Sequence, residues 1–190
     1  MEDIYKVALQ TLQKNKQALV FVSTRASAEK TAETIAKLTE KNLPELENSI
    51  LKAASTPTKQ CKKLSKCVRK GIAFHHAGLL QKQKTLIEDN FRNGTIKIIC
   101  ATPTLAAGLS LPAYRVLVRS LKRYSGRWGM DWIPVLEYLQ MAGRAGRPEY
   151  ESEGEAITFA KNEIEKQEIY ERYICGEPED IYSKLAVEPV

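Results

Sequence analysis

One segment of the chain combines arginines, glycines and an amide in a spacing that suits phosphate chemistry. It reads QMAGRAGRP and spans residues 140–148. If it is helical as far as Pro148, four of its residues share one face, because residues three, four and seven apart are neighbours on a helix. They are Gln140, Gly143, Arg144 and Arg147. A glycine inside a helix costs about 1 kcal/mol relative to alanine, so the two glycines favour close approach of a bulky anion. The planar fork of arginine is suited to phosphate oxygens.

Two arginines on one face are suited to a triphosphate, in which negative charge builds during phosphoryl transfer. An arginine finger of this kind contributes roughly 10³–10⁵ in rate. The alternative is a surface helix whose arginines pair with nearby carboxylates, such as those of Glu137 and Glu149. Phosphate binding requires Arg144 and Arg147 to face outward at the working edge of the domain, rather than to bind groups of their own domain.

Alternating short apolar runs and amphipathic segments must position these residues. The predicted strands span 18–22, 71–74, 96–101, 116–118 and 156–159. The predicted helices span 4–12, Gln81–Arg92 and 135–145, with a further helix that starts after an N-cap at Ser27. Repeated strand-helix units predict an α/β fold, in which helices cover both faces of a parallel sheet. Ligands of such sheets bind at the carboxyl ends of the strands, where the polar turns 23–25, 75–78 and 102–104 lie.

Three other segments add to this unit. Residues 44–70 predict a helical insertion, and residues 161–190 a helical extension that leads toward a following domain, leaving 1–160 as the motor-like domain. Residues 119–133 predict a β-hairpin, because Ser125-Gly126 separates two apolar runs. Its aromatic side chains, Tyr124 and Trp128, lie among basic ones, a combination that stacks on bases and holds a nucleic-acid backbone. The alternative is that these aromatics pack on a neighbouring domain.

Charge is distributed unevenly along the chain. The net charge is +6, yet residues 1–150 carry 25 Lys+Arg against 12 Asp+Glu, and residues 151–190 carry 4 against 11. Two stretches, 59–70 and 115–127, contain no acid at all. A one-sided basic surface is typical of a polyanion partner such as nucleic acid, although a solvated face gives the same composition.

Cysteine spacing and hydropathy narrow the class of protein further. The four cysteines, at positions 61, 67, 100 and 175, lack the spacing of zinc ligands, so we expect no metal site and reduced, mostly buried thiols. No apolar run is long enough for a bilayer span or a secretory signal. We therefore expect no membrane partner and a cytoplasmic location, close to the nucleoid if the partner is DNA.

Four segments resemble motifs of superfamily 2 helicases, in the order and spacing of that family. ALVFVSTR (18–25) is similar to motif IV, AFHHAGL (73–79) to motif IVa, ATPTLAAGLSLPA (101–113) to motif V and QMAGRAGRP (140–148) to motif VI. HHAGL, ATPTLAAG and QMAGRAGRP look most like Ski-type DExH helicases, and among these the archaeal Hjm (Holliday junction migration) DNA helicases. The resemblance covers about residues 18–160 and implies the second RecA-like motor domain of such an enzyme.

This resemblance implies a role for each motif residue. Arg144 and Arg147 would act in catalysis on ATP held by the first motor domain, and Gln140 would couple that nucleotide to the domain interface. The nucleotide contacts would come from Gly108, Ser110, Gly143, Arg144 and Arg147. The family usually has Asn or Asp where this chain has Ser110. The nucleic-acid-binding residues, including those of the hairpin, would be Ser23, Thr24, Arg25, His76, Ala77, Gly78, Thr102, Thr104, Arg123, Tyr124 and Trp128.

The chain contains neither a P-loop nor a DExH-type carboxylate motif. We therefore expect ATP and Mg²⁺ to be held mainly by the first motor domain, and the chain alone to be inactive. The expected partners are single-stranded or forked DNA and the other domains of one monomeric polypeptide. The resemblance also implies 3′ to 5′ movement. An RNA helicase of the same superfamily, an ATP-independent nucleic-acid-binding module and a protein-interaction domain that uses the acidic tail are the alternatives.

Overall fold

A five-stranded parallel sheet forms the centre of the computed structural model, which describes residues 2–108, 111–124, 129–146 and 153–179. The strands are β1 (Ala18–Phe21), β2 (Ile72–His75), β3 (Ile98–Ala101), β4 (Arg115–Val118) and β7 (Glu155–Thr158), in the order β2-β3-β1-β4-β7. Every neighbouring pair is parallel. β1 to β4 are fully buried, and their residues are apolar apart from His75 and Arg115, as expected in a sheet covered by helices. The predicted α/β fold of RecA type is confirmed.

Helices flank the sheet along most of the chain. They are α1 (Glu2–Gln13), α2 (Arg25–Ala36), α3 (Pro44–Lys52), α4 (Lys59–Arg69), α5 (Gln81–Arg92), α6 (Thr104–Gly108), α7 (Val135–Ala142) and α8 (Glu163–Ile169), which continues into one π-helical turn, Tyr170–Ile174. Their apolar faces join the strands in one core, in which Phe21, Phe74 and Phe91 are among the largest fully buried side chains.

Several predicted boundaries are wrong, most of them by one or two residues, and three have a clear structural reason. α2 begins at Arg25 rather than after Ser27, because Thr24 is the N-cap and its Oγ1 accepts a hydrogen bond from the Ser27 N–H at 3.1 Å. β3 begins at Ile98, two residues later than predicted, because the Ile96 and Lys97 N–H groups donate to Asn90 and Gly71 before sheet pairing starts. The last motif helix ends at Ala142 rather than Ala145, for a reason given with the site below.

The structure describes most of the three added segments, and the extension is helical only in part. Residues 44–70 contain α3 and α4, and α4 packs on β2 and α2 through the buried Leu64 and Val68. The hairpin consists of β5 (Lys122–Tyr124) and β6 (Met130–Trp132), which are antiparallel. The extension is helical only as far as Ile174, and residues 175–179 are not helical. The domain limits at residues 160 and 161 stay a prediction.

All four cysteines lie among the described residues and are free thiols. Three of the free cysteines are buried, and Cys175 is exposed. Burial raises the pKa of the Cys67 thiol to about 12. In the ranges that the structure describes, no helix combines the length and the apolar composition of a bilayer span.

Candidate nucleotide and nucleic-acid interface

The carboxyl ends of β1, β2 and β3 lie side by side because the strands are parallel and adjacent. We call residues 22–25, 76–78 and 102–104, which follow these strands, the strand-end rim. A cavity of about 490 Å³ opens between this rim, α7 and the hairpin. Five of the predicted site residues line it together: Ser23, Thr102, Thr104, Arg123 and Gln140. Residues from motifs IV, V and VI and from the hairpin are therefore brought together at one edge.

The hydroxyl groups after β3 form a compact polar pair. Thr102 Oγ1 lies 2.9 Å from Thr104 Oγ1, within hydrogen-bond distance. Thr104 is exposed and is the first residue of α6. Hydroxyl groups of this kind bind phosphate oxygens without reading the base sequence. The pair is therefore suited to a nucleic-acid backbone.

The turn after β2 presents backbone to solvent rather than the imidazole of His76. That side chain is buried and stacks on Phe74 with 5.6 Å between ring centroids. Its Nδ1 accepts a hydrogen bond from the Gly78 N–H at 3.1 Å, and its Nε2 lies 3.4 Å from Glu29 Oε1. Burial lowers the pKa of His76, against the opposing effect of Glu29. Ala77 and Gly78 are exposed, so only they can contact a ligand through the surface of this turn.

Motif IV contributes exposed groups beside that turn. Ser23, Thr24 and Arg25 are exposed, but Thr24 Oγ1 already caps α2. The Arg25 Nη1 atom lies 3.6 Å from the position that a Cβ on Gly78 would occupy. The arginine and the glycine turn therefore form one surface, although 53 residues separate them in the chain.

The predicted helical face of motif VI does not form. α7 ends at Ala142, Gly143 is its C-cap, and Gly146 has a φ of +96°. The chain leaves the helix because Ala113 pairs with this segment: its N–H donates to Arg144 O at 2.9 Å, and its carbonyl accepts from the Gly146 N–H at 2.7 Å. The interpretation that Gln140, Gly143, Arg144 and Arg147 share one helix face is therefore wrong.

The second glycine of motif VI has a structural explanation instead of the proposed anion. A Cβ built on Gly154 would lie 2.2 Å from Gly146 N and 2.5 Å from Gly146 Cα, far inside van der Waals contact. The close approach therefore requires glycine at position 154, whereas a Cβ on Gly146 would lie 3.8 Å from Gly154 Cα, an ordinary contact. Gly146 also has a positive φ, which side chains disfavour.

Arg144 is turned toward its own domain. Its Nη2 donates to the carbonyl of Ala106 in α6 at 2.6 Å, and its Nε is buried without a partner in the part of the chain described. The expectation that Arg144 faces freely outward is therefore wrong. Arg144 is also not paired with Glu137, whose carboxylate binds Arg123 Nη1 at 2.7 Å, and the other acid of that alternative, Glu149, lies outside the described residues. Instead, Arg144 joins motif VI to motif V at the end of β3.

The structure does not test the predicted roles of several site residues. Ser110, Trp128 and Arg147 lie outside the described residues, and Gly108 is the last residue of α6. Gln140 and Gly143 are exposed at the end of α7. In the hairpin, Tyr124 is 73% exposed and is free to meet a partner.

An aromatic cluster at the base of the hairpin was not predicted from the sequence. Trp132 packs against Tyr173 of the extension, and Lys122 Nζ lies 3.9 Å from the centre of the Trp132 ring. Tyr173 also packs on Tyr138 of α7, and its hydroxyl donates to Ile133 O at 2.6 Å. The only signal was a set of aromatic residues at distant positions, which no periodicity connects.

Comparison with known proteins gives the family. Residues 1–149 match the helicase conserved C-terminal domain. The chain belongs to this helicase family. It is 45% identical over 196 aligned residues, 99% of the chain, to the ATP-dependent DNA helicase Hel308 of Methanocella arvoryzae. It is 46% identical over 184 residues, 94% of the chain, to the protein of that name from Pyrococcus horikoshii.

The motif resemblance to archaeal Ski-type helicases is confirmed by these matches. The chain spans about a quarter of the length of the curated relatives it matches, 26% and 25% for these two. Most of each relative therefore has no counterpart in this chain.

Proposed function

We propose that this chain is the second motor domain of an ATP-dependent DNA helicase that unwinds forked or branched DNA, 3′ to 5′, in replication-linked repair and recombination. One observation carries the proposal: the rim hydroxyls, Gln140 and the hairpin residue Arg123 line a single cavity at the carboxyl edge of the sheet. Relatives named as ATP-dependent DNA helicases, with 45–46% identity, support the choice of DNA as the substrate.

The residues of motif VI fit the phosphates of ATP. The buried Nε of Arg144 has no partner in the described chain, so the guanidinium keeps an unused donor, and Gln140 and Gly143 are exposed beside it in sequence. We propose that Arg147 holds phosphate oxygens and that Arg144 joins it by exchanging its bond to Ala106 O for one of them. Gly108 and Ser110 would lie at the ribose, and Mg²⁺ would be held mainly by the first motor domain. When bound, ATP supplies the free energy for movement.

Arg144 acts in this proposal as a link as well as a ligand. Its hydrogen bond to Ala106 O connects motif VI to α6, which begins with the phosphate-binding candidate Thr104. A change in the contacts of Arg144 therefore reaches the strand-end rim through one hydrogen bond. Gln140, which lines the rim cavity, couples the nucleotide side to the same place.

The strand-end rim grips the tracked strand in this proposal. Thr102, Thr104 and Ser23 offer hydroxyls, Arg25 a guanidinium, and Ala77 its backbone N–H, since the Gly78 N–H already donates to His76 Nδ1. All of these bind phosphate, and none reads a base. The grip is therefore independent of base sequence, as a motor requires.

Reconstitution of ATPase activity tests the motor assignment. We expect the full-length protein to hydrolyse ATP in a DNA-stimulated reaction, and Arg147→Ala to lower the rate by roughly 10³–10⁵, the contribution of an arginine finger. Lys37→Ala, which alters an exposed residue at the end of α2, is the control. An Arg147→Ala enzyme with the wild-type rate would refute the finger role, and stimulation by RNA alone would favour an RNA helicase.

The hairpin is proposed to separate the strands. Tyr124 is exposed on β5, and Trp128 follows it in the connecting residues. We expect alanine at both positions to abolish unwinding in the full-length protein while DNA-stimulated ATPase persists. Unwinding at the wild-type rate would eliminate the wedge and favour packing against another domain.

The partners follow from the same proposal. The missing P-loop requires a first motor domain in the same polypeptide, and the longer relatives support further domains. We propose that the protein acts as a monomer on DNA in the cytoplasm, at the nucleoid.

A further inference from the structure

The outer face of α4 carries a row of cations that the motor function does not use. Positions 59, 62, 63, 66 and 69 of this helix are basic and exposed, whereas Cys61, Leu64, Ser65, Cys67 and Val68 are buried. At 100° per residue, the five cations fall within one third of the helix circumference. The helix therefore has a mostly apolar inner face and a cationic outer face.

Only part of this row is neutralised. Lys63 Nζ lies 3.2 Å from Glu29 Oε2, and Arg69 Nη1 lies 3.1 Å from Glu47 Oε2. Within the ranges that the structure describes, the side-chain ammonium groups of Lys59, Lys62 and Lys66 have no hydrogen-bond or ion-pair partner. We call these three residues the α4 stripe. They span about 10 Å along the helix axis, which matches several phosphates of one strand.

The stripe opposes the stability of its own helix. Lys62 and Lys66 are four residues apart, where like charges repel each other. Lys59 and Lys62 lie in the first turn, where the helix dipole disfavours cations, and this turn has no acidic residue. Thr58 supplies the N-cap bond to the Cys61 N–H, but it does not balance the charge. A local arrangement that lowers helix stability is expected at functional surfaces.

The position of α4 beside the strand-end rim indicates which ligand the row of cations binds. α4 runs antiparallel to β2, so its first turn lies at the strand-end rim. Gln60 Nε2 donates to Glu29 Oε1 at 2.8 Å, and the same carboxylate oxygen lies 3.4 Å from Nε2 of His76, whose ring holds the exposed turn at Gly78. The stripe therefore begins beside the rim residues that are proposed to bind DNA and runs away from them.

We propose that the α4 stripe is a second phosphate-binding surface, which holds the backbone of the same single strand after it leaves the strand-end rim. This inference rests on the proposed DNA-binding function. The exposed lysines without partners match the phosphates in charge, and binding would relieve the repulsion along the helix. Contacts from lysine ammonium groups to phosphate add affinity without adding base specificity.

The salt dependence of binding to single-stranded DNA tests the stripe. The slope of log K against log salt falls by about 0.7 for each phosphate contact that is removed from a single strand. We expect Lys62→Gln to reduce the slope of the chain by about 0.7, and the triple glutamine variant of the stripe by about 2. Lys37→Gln, at the opposite end of the sheet, should leave the slope unchanged, and a triple arginine variant should retain it.

The outcomes separate this inference from the function on which it rests. If the wild-type chain binds DNA, and Arg25→Ala at the rim weakens binding, then an unchanged slope in the triple glutamine variant overturns the stripe alone. If the wild-type chain does not bind single-stranded DNA, both proposals fall. Glutamine has a helix propensity close to that of lysine, and thermal unfolding of the triple variant at an equal or higher temperature confirms that α4 remains folded.

Discussion

At the scale of single residues, two side chains that were predicted to bind DNA or ATP instead form hydrogen bonds with backbone groups near the site. His76 was predicted to contact nucleic acid, but its side chain is buried beneath the turn at residues 76–78. Arg144 was predicted to contact ATP, but it binds the Ala106 carbonyl. His76 accepts a hydrogen bond from a backbone N–H of the strand-end rim, and Arg144 donates to a carbonyl of α6, the helix that begins at the rim. Residue types that suit DNA or ATP therefore also maintain the geometry that presents other groups to those ligands.

The two histidines make the stability of the domain depend on pH. Burial lowers the pKa of both His75 and His76 in the folded state. The unfolded chain, with a histidine pKa of about 6.5, then binds more protons than the folded chain between that value and the lowered one. Stability should fall as the pH drops through this window and change little above it. Urea unfolding at a series of pH values measures this.

The variant His76→Gln tests whether His76 contributes to this loss of stability at low pH. His76→Gln cannot take up a proton, so it should reduce the loss of stability on acidification. It should also weaken single-stranded DNA binding at neutral pH, because the acceptor of the Gly78 N–H is altered. An acid response identical to that of the wild-type chain would contradict the assignment to His76.

The contact between Gly146 and Gly154 predicts a large effect from one methyl group. Gly154→Ala places a Cβ 2.2 Å from Gly146 N, a backbone atom that has little freedom to move. We expect a loss of about 1–3 kcal/mol in the free energy of unfolding. Gly94→Ala is the control for a positive φ without a clash, since nothing lies within 4 Å of its Cβ. Denaturant unfolding that ranks Gly94→Ala as the more harmful change would contradict the packing explanation.

At the scale of elements, the extension is tied to the motor elements. Tyr173 contacts β6 through Trp132, α7 through Tyr138 and the intervening loop through Ile133 O. The Glu179 carboxylate accepts hydrogen bonds from the Val135 and Leu136 N–H groups, where Pro134 offers no side-chain cap. The start of α7, and therefore Gln140 at its end, depends on residues that come after the sheet.

Tyr173→Phe tests this attachment. The change removes one buried hydroxyl and leaves the Ile133 carbonyl without its partner, which should cost about 1–3 kcal/mol of stability. Tyr124→Phe alters an exposed hydroxyl and should leave stability unchanged. Thermal unfolding of both variants makes the comparison, and equal melting temperatures would show that the extension is not coupled to α7 through this bond.

At the scale of the whole molecule, the chain is one of the two motor domains of the proposed helicase. It lacks a P-loop, so nothing in the sequence can cradle the phosphates alone. We expect the purified chain to show no ATPase above background, with or without DNA, and a radiometric phosphate-release assay checks this. Its DNA binding should be weak, independent of base sequence and strongly salt-dependent. Turnover by the chain alone would contradict the division of labour between two motor domains.

The sequence by itself determined the class of fold, the order of its strands and helices and the residues of the strand-end rim. These features depend on local patterns: buried strands are continuous apolar runs, and polar turns follow them. Even the helix Gln81–Arg92 was predicted to the residue. Four motifs in the right order gave the family, because each is short and contiguous.

Only the tertiary structure decided where the helix of motif VI ends and where the Arg144 side chain points. The helical period of residues 135–145 gave no sign that Ala113, 32 residues away from Ala145, would pair with the segment and end the helix at Ala142. The aromatic cluster around Tyr173 and the burial of His76 likewise depend on contacts between distant segments. Such contacts are set by packing of the complete fold, and a pattern read over one window of sequence contains no information about them.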